Sequence, residues 1–462
     1  MPETPSATTR LRFDIDDQLD PTLITAHAGV PLVIELFRRV GAVQVLNDAV
    51  RIKQRQRGLT PAQLVETLIA LWVAGGDRCQ DLQMLRADVA LARLLGYKLP
   101  AATTMRDFLE SFQVEEPPLW RAGEKAAIPE ESAPLGGLGA ANRRILAAVQ
   151  QHALQRTATL DVDATILEAH KHTAAMAYEG TRGYQPVLAV WAEPDLIVHE
   201  EFRDGNVPAG CGNVRILERA IARLPSGITQ TFVRGDSALY EQEVLAWCEK
   251  PERGIGYAIS ADMSPQLHAE ILRLPETAWQ LDRAEPDVLR EWAEVPYVPD
   301  DGDHRKDRPW VRRYLAVRIR QRQGELFADG TTVKHFAIVT NREGEGLMLI
   351  HWHREKAGTV EPVHHGLKNE LAAAALPSGK FGANAAWFRL NVLTSNLLSA
   401  LKRLALPGDL SVARPKRLRF LVFNTVGKVV QHARRTLLRL TSATQQALVA
   451  LARSRILALS PT

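Results

Sequence analysis

Apolar residues in the first 113 positions recur every three to four residues, the spacing of helices that bury one face. In "PAQLVETLIALWVAGG" (61–76), Thr60 and Pro61 mark a helix start and the two glycines mark its end. We therefore predict a helical N-terminal domain at 1–113. It could be a helix-turn-helix-type DNA reader, because basic residues lie between its helices, or a plain helical bundle; these basic residues are Arg51, Lys53, Arg55 and Arg57.

The pattern changes twice before the middle of the chain. Residues 114–141 are rich in Pro, Gly and Glu and lack periodicity, which predicts a linker. From 142 to 264, alternating runs such as "LDVDATI" and "PVLAVWA" give way to a succession of helical and strand-like stretches. Adjacent strands followed by strand–helix alternation indicate an α/β core with a mixed sheet.

The last 200 residues divide into three further segments. Residues 265–345 carry alternating strands such as "RRYLAVRIR" and predict a β-rich insertion in the core. Residues 346–409 return to helical spacing and predict the second part of the core. Residues 410–462 are predicted to form a basic C-terminal segment of packed helices.

Charge is unevenly distributed along the chain. The net charge is +4, but residues 410–462 contain no Asp or Glu, while the other 409 residues carry 47 basic and 53 acidic side chains. A positive segment on a mildly acidic body indicates a polyanionic partner, most commonly nucleic acid, although a solvated basic face is the alternative. The basic residues are Arg414, Lys416, Arg417, Arg419, Lys428, Arg434, Arg435, Arg439, Arg453 and Arg455.

The composition of the chain predicts the cellular compartment in which the protein resides. Three cysteines without metal-like spacing, no signal peptide and no apolar run of membrane length predict a cytoplasmic protein. The tetrapeptide Arg-Gly-Asp-Ser at 234–237 would indicate cell adhesion only on a secreted loop, so this function is excluded. Here it ends the β-forming run "ITQTFVRGD", which predicts a carboxylate, Asp236, at a strand end.

Carboxylates recur at predicted strand ends. In "LDVDATI", strand alternation places Asp161 and Asp163 on one face. Because neighbouring strands lie about 4.8 Å apart, such acids can converge with Asp236 on one divalent metal. Hard cations such as Mg²⁺ prefer carboxylate oxygens together with water and phosphate. Solvated acids at strand ends are the alternative.

A third acid lies in "GTVEPVHHGLK". Pro362 is tolerated in the first turn of a helix, so we predict that Glu361 lies at a helix N-terminus, with Thr359 as its cap. Lys368 follows two turns later on the same face, and His364 lies near it. The adjacent histidines could indicate zinc, but no third ligand has a telling spacing.

Several longer phrases make the chain similar to a known family. "LDVDATI", "EEFRDGNVPA", "RGDSALYEQEVL", "IGYAISADMS", "REKAGTVE" and "FGANAAWFRLNVL" occur in this order. Over about residues 12–410 the chain resembles the cut-and-paste DDE transposases of bacterial insertion sequences. The resemblance implies a ribonuclease-H-like mixed-sheet core interrupted by a β-rich insertion.

The resemblance also implies roles for individual residues. In that family the first acid is followed by x-Thr, which selects Asp163 before Thr165. The second acid corresponds to Asp236, the third to Glu361, and the basic residue two turns later to Lys368. Related enzymes carry Tyr and Arg shortly before the glutamate. In this chain Arg354 and Lys356 stand in, and the tyrosine has no clear equivalent. Arg354, Lys356, Lys368 and His364 are predicted to contact DNA.

What the resemblance implies chemically is a metal-dependent DNA enzyme. Two Mg²⁺ ions, replaceable by Mn²⁺, would be held by the three acids. The same site would cut at the transposon's terminal inverted repeats and join the end to target DNA, with a homodimer pairing the two ends in the bacterial cytoplasm. A structure-selective nuclease of the same fold and a non-catalytic DNA-binding descendant are the alternatives.

Related transposases stack an extruded base on an aromatic ring supplied by the insertion. Trp292 is the first candidate, because "REWAEVPY" places it among charged and turn-forming residues. Trp279 follows an apolar helical pattern and is predicted to lie in the core, while Trp310 is left open. The alternative is that all three pack the insertion, since tryptophan is mostly buried.

Overall fold

The computed structural model describes residues 20–52, 58–115, 118–121, 126–169, 171, 173–299, 312–321, 327, 331–433 and 435–460. Trp310, Lys53, Arg55, Arg57 and Arg434 lie outside these residues. The helices of the described part are α1 (Val30–Arg39), α2 (Ala42–Ala49), α3 (Pro61–Ala74), α4 (Leu82–Ala87), α5 (Val89–Leu95), α6 (Ala102–Glu110), α7 (Ala133–His152), α8 (Asn213–Arg223), α9 (Gln242–Cys248), α10 (Pro265–Arg273), α11 (Gly346–His365), α12 (Phe381–Leu404), α13 (Pro415–Leu418) and α14 (Ala443–Ala458).

The strands of the same residues form one large sheet and three small ones. They are β1 (Ile24–Thr25), β2 (Leu119–Arg121), β3 (Ala127–Pro129), β4 (Thr157–Ala164), β5 (Leu167–Glu168), β6 (Ala175–Met176), β7 (Arg182–Tyr184), β8 (Val187–Trp191), β9 (Leu196–Glu201), β10 (Gln230–Gly235), β11 (Ile255–Ser260), β12 (Gln280–Ala284), β13 (Val288–Val295), β14 (Arg313–Gln321), β15 (Val333–Thr340), β16 (Gly427–His432) and β17 (Arg435–Leu440).

Helix α3 shows how the N-terminal sequence fixes its local structure. The Thr60 side chain accepts a hydrogen bond from the Gln63 amide, and the Gln63 side chain accepts one from Thr60, so a capping box starts the helix. At the other end Gly75 adopts the left-handed conformation, with φ of 107°. Between these ends the apolar residues are buried on nearly all sides of the helix.

The large sheet contains the core that the family resemblance implies. Strands β4, β8 and β9 form an antiparallel meander, while β10 and β11 run parallel to β4 on its other side. Helices α7 and α12 pack together, and α12 contacts β9. The predicted mixed-sheet α/β core is therefore confirmed.

The insertion extends this sheet instead of forming a separate one. Strand β15 pairs antiparallel with β11, and β14, β13 and β12 follow in order toward the edge. The nine strands thus form one continuous sheet, and α11 returns the chain from the insertion to the core.

The predicted linker at 114–141 is only partly right. Strands β2 and β3 pair within it, and α7 already begins at Ala133. The glycines at 136, 137 and 139 weaken the helical pattern, but Gly137 has a packing role: an added Cβ would lie 3.0 Å from Ala49 and Val50 side-chain atoms. Close packing of α2 on α7 explains why this stretch is helical despite its composition.

The C-terminal segment is not wholly helical, which corrects that prediction. Strands β16 and β17 form a hairpin that pairs with β1, and α14 then packs on α1. One cluster of buried apolar side chains includes residues from Val30 to Leu459, and within it Trp72 of α3 meets Trp387 of α12 edge to face at 4.8 Å. The predicted boundaries near 113 and 410 therefore do not separate independent cores. None of the helices in the described ranges is long and apolar enough to span a bilayer.

Candidate active site

Two carboxylates meet where neighbouring parallel strands end. Asp163 is the penultimate residue of β4, and Asp236 directly follows β10. The register pairs Val162 with Gly235, so the two acids occupy the next position on adjacent strands. Asp236 accepts a hydrogen bond from the Ala238 amide at 3.1 Å, which starts a short 3₁₀ turn. This is the edge of a parallel sheet at which ligands usually bind.

A close contact with Leu239 explains why a glycine lies between Arg234 and Asp236. A Cβ on Gly235 would lie 2.9 Å from Cβ of Leu239, closer than side chains tolerate. The chain can therefore turn sharply after β10 and present Asp236 beside Asp163. The Arg-Gly-Asp sequence is a strand end with an acid, as the sequence predicts.

The two carboxylates titrate differently. Burial would raise the pKa of Asp163, but the neighbouring His364 and the charge of Lys356 outweigh it and lower this pKa. Burial raises the pKa of Asp236; Lys356 opposes this shift and the adjacent Asp163 carboxylate adds to it. Lys356 Nζ and His364 Nε2 each lie 3.6 Å from Asp163 Oδ2. The site therefore resists carrying two negative charges without a cation.

Glu361 is not at a helix N-terminus, which corrects the sequence prediction. Helix α11 begins at Gly346, about four turns earlier, and Pro362 lies inside it. Thr359 does not cap the helix: its hydroxyl donates to the Lys356 carbonyl at 2.9 Å and contacts the Asp161 carboxylate. Glu361 therefore gains no stabilisation from the positive end of a helix dipole.

Glu361 nevertheless lies between Lys356 and His364, the two residues of α11 that approach Asp163. It is exposed and stands one helical turn before His364. Lys368, in the π-helical turn after α11, is half-buried, and burial lowers its pKa. The Asp163 charge acts on Lys368 in the opposite direction, so this ammonium group is within electrostatic reach of the site.

A buried ion pair connects the two strands that position Asp163 and Asp236. The Asp161 carboxylate is fully buried and accepts two hydrogen bonds from Arg234, at 2.6 and 2.8 Å. Arg234 also donates to the Trp352 carbonyl at 2.6 Å and to Glu355 at 3.1 Å. One guanidinium thus joins β4, β10 and α11. Sequence analysis missed this role, although a lone arginine in the apolar run before Asp236 was a visible signal.

Two further contacts hold α11 against the strands. His353 Nε2 donates to the Gly235 carbonyl, 3.0 Å away, next to Asp236. Arg354, predicted to contact DNA, forms an ion pair with Asp282 of β12 at 2.6 Å. Arg354 therefore links the insertion to α11, whereas Lys356 faces the acids.

Trp292 is in a core, so the prediction that it lies outside one is wrong. Its side chain is 6% exposed and packs with apolar residues of the insertion and α11, among them Leu315, Ile338 and Ile350. Gly346 leaves room for the ring, because a Cβ there would lie 2.3 Å from Trp292. Trp279 is partly buried, and the guanidinium of Arg318 lies 4.1 Å from its ring centroid. A base-stacking role for Trp292 is withdrawn.

The basic C-terminal residues divide into exposed and structural ones. Arg414, Lys416 and Arg417 are exposed in or beside α13. Arg419 is half-buried and donates to the Trp72 carbonyl at 2.9 Å and to the Glu370 carbonyl. The guanidinium of Arg419 therefore joins the C-terminal segment to the core.

Comparison with known proteins decides the family. A family model described as transposase DDE domain group 1 matches residues 12–461. The chain belongs to this family of DDE transposases. It is similar to the piggyBac transposase in a cryo-electron-microscopy structure of the synaptic complex with hairpin DNA, at 10% identity over 81% of this chain and 74% of that chain, with a TM-score of 0.43. No curated protein matches the chain.

The predicted family, fold class and activity are thus confirmed. The transposase is a DNA endonuclease and strand transferase with an interrupted α/β core, and its family depends on divalent metal. Within the described ranges, no three His, Cys, Asp or Glu side chains stand close enough together to hold a metal ion. The Asp163–Asp236 pair does fit such an ion in donor chemistry and charge, because two close carboxylates offer hard oxygen ligands and lack a full complement of positive charge.

Replacing Lys356 should increase the effect of the electrostatic repulsion between the Asp163 and Asp236 carboxylates. With Lys356→Met, the pKa values of Asp163 and Asp236 should both rise, so ionised carboxylates should destabilise the fold more at neutral pH. As the pH falls toward these pKa values the carboxyls take up protons, so the substitution should matter less. We expect the metal-free variant to lose more thermal stability at pH 7 than at pH 3. Lys250→Met, at an exposed lysine, is the control, and equal losses at both pH values would contradict this account.

Proposed function

We propose that this transposase holds two Mg²⁺ ions with Asp163, Asp236 and Glu361. The observation that carries the proposal is the Asp163–Asp236 pair at adjacent strand ends, with the pKa of Asp236 raised by burial and by Asp163. Glu361 is exposed on the neighbouring helix and would complete the set. Bound there, Mg²⁺ would supply Lewis-acid stabilisation of the attacking and leaving oxygens.

The chain's own residues orient these ligands in the proposal. Lys356 and His364 keep Asp163 ionised, since both lie 3.6 Å from its Oδ2. The Asp161–Arg234 pair fixes the separation of β4, β10 and α11, and hence the position of the helix that carries Glu361. Lys368, in the π-helical turn after α11, would contact the phosphate of the cleaved strand.

The reaction is the cleavage of transposon ends and the transfer of the freed 3′ end into target DNA. Because two ends must be joined, the active form is inferred to be a homodimer on paired inverted repeats. A strand-transfer assay tests this directly, using DNA that carries the inverted repeats flanking the gene. Joined products that require Mg²⁺ or Mn²⁺ are expected. Cleavage without any joining would favour the structure-selective nuclease.

Arg414, Lys416 and Arg417 form an exposed cluster, here called the α13 cluster, that is proposed to contact DNA phosphates. It adjoins the C-terminal end of α11, because the Lys416 amide donates to Glu370 at 2.7 Å and Glu370 lies 3.5 Å from His365. Each phosphate contact contributes about 0.9 to the slope of log affinity against log salt. Three such contacts would therefore make DNA binding strongly dependent on salt.

Replacing the α13 cluster by alanines should weaken DNA binding and flatten its salt dependence. We expect the slope to fall by about 2 to 3. Deleting 410–462 would be a poor test, because β16 pairs with β1 and α14 packs on α1. Arg253→Ala, at a cation that lies 4.1 Å from the ring centroid of Trp247, is a control. An unchanged slope would show that the α13 cluster is a solvated basic face that does not contact DNA.

A further inference from the structure

The hairpin of β6 and β7 is attached on both sides to the strand that carries Asp163. Strand β5 begins three residues after β4 ends, and it pairs with β7, which pairs with β6. After β7 the chain enters β8, whose Leu188 is the register partner of Asp163. The hairpin therefore leaves and rejoins the large sheet at the strand ends next to Asp163.

The tip of this hairpin is a tight turn. The Gly180 amide donates to the Ala177 carbonyl at 3.0 Å, and the Ala177 amide donates to the Thr181 carbonyl at 2.7 Å. Gly180 has φ of 80° and would meet nothing with an added side chain, so it serves the turn and not a packing contact. Tyr178 and Glu179 are the side chains at the tip.

Tyr178 presents its ring to solvent at the tip of this hairpin. It is 79% exposed, and its hydroxyl donates to Glu179 Oε1 at 3.1 Å. That hydrogen bond is the largest cause of its raised pKa, and the charge of Asp236 adds to it. The charge of Glu179 in turn acts on Lys368. Both tip side chains are thus within electrostatic reach of residues assigned to catalysis.

The exposed aromatic ring of Tyr178 can bind a flat ligand by stacking. Nucleic-acid bases stack on aromatic side chains, and this stacking adds affinity that depends little on the identity of the base. The hydroxyl of Tyr178 already has a partner, whereas no ring contact involves it among the described residues. The free part of the side chain is therefore its ring face.

We propose that Tyr178 stacks on a DNA base next to the scissile phosphate and so positions the strand in the site. The proposal rests on the proposed function, since it places DNA at Asp163 and Asp236. Glu179 fixes the ring by holding its hydroxyl. Tyr178 is a positioning residue, and its ring, not its hydroxyl, carries the role.

A pair of substitutions separates ring from hydroxyl. Tyr178→Phe keeps the ring and should cleave end DNA within about threefold of wild type, while Tyr178→Ala should be slower by about tenfold or more. Leu272→Ala, at another exposed apolar residue, is the control and should be unaffected. Because Tyr178 is exposed, all variants should keep the wild-type melting temperature.

A fluorescence measurement gives a readout independent of cleavage. With 2-aminopurine at the bases flanking the cleavage site, complexes of wild type and Tyr178→Phe should show quenched emission, and Tyr178→Ala should show higher emission. Equal rates and equal emission for Tyr178→Ala and wild type would overturn the stacking role. So would a Tyr178→Phe defect as large as that of Tyr178→Ala. If wild type itself fails to cleave with Mg²⁺, the proposed function fails instead.

Discussion

Asp236→Asn should abolish cleavage, to below a few per cent of wild type, while end-DNA binding stays nearly intact. An amide cannot supply the anionic oxygen that a divalent cation requires. The fold should not suffer, because burial raises the pKa of Asp236 above that of an unfolded chain. Above that unfolded value, ionised Asp236 costs folding free energy, and the neutral amide removes this cost. We expect a melting temperature equal to or above that of wild type in metal-free protein.

Asp262→Asn is the matched control for this experiment. Asp262 is exposed and follows β11, the parallel strand next to β10, but Asp163 has no hydrogen bond or ion pair with it. Its cleavage rate should match wild type. Cleavage by Asp236→Asn above a few per cent, or an equal loss in Asp262→Asn, would show that the catalytic assignment is wrong.

Asp161→Asn should destabilise the transposase by up to about 3 to 5 kcal/mol, because the buried Arg234 guanidinium then has only the exposed Glu355 carboxylate as a counter-charge. The sequence places Asp161 on the same strand face as Asp163 and does not reveal its buried pairing with Arg234. Denaturant unfolding measures the effect. A loss under about 1 kcal/mol would contradict the account.

The double variant Asp161→Leu/Arg234→Met completes that test. Replacing both members of a buried ion pair by apolar residues is often nearly neutral, whereas removing one is costly. The double variant should therefore recover much of the lost stability. Recovery should be incomplete, because the bonds of Arg234 to Trp352 and Glu355 are also lost. A double variant less stable than Asp161→Asn would show that the pair itself is not the cause.

Local patterns in the sequence sufficed where a single strand or turn determines the position of a residue. Alternation predicted the common face of Asp161 and Asp163, and both carboxylates indeed face α11. The Gly-Asp step after β10 predicted the second acid. Such features depend on two or three neighbouring residues, so they can be read without knowing the partners.

Tertiary packing decided the features that the sequence left hidden. Pro362 normally favours a first turn, but the 20-residue α11 accommodates it within the helix. Charged neighbours suggested an exposed Trp292, yet alternate strand residues face opposite sides and its own side faces Leu349 and Ile350 of α11. The β16–β17 hairpin depends on β1, which lies about 400 residues away in the sequence.

The proposed metal site depends most on Glu361, the member of the three acids that is exposed in the structure. The most direct measurement is the Mg²⁺-dependent rate of end-DNA cleavage by Glu361→Gln, beside Glu345→Gln at the exposed start of the same helix. The account predicts a loss of about a hundredfold or more for Glu361→Gln, with unchanged DNA affinity, and no loss for Glu345→Gln. A Glu361→Gln rate within about threefold of wild type would contradict the assignment of Glu361 as a metal ligand.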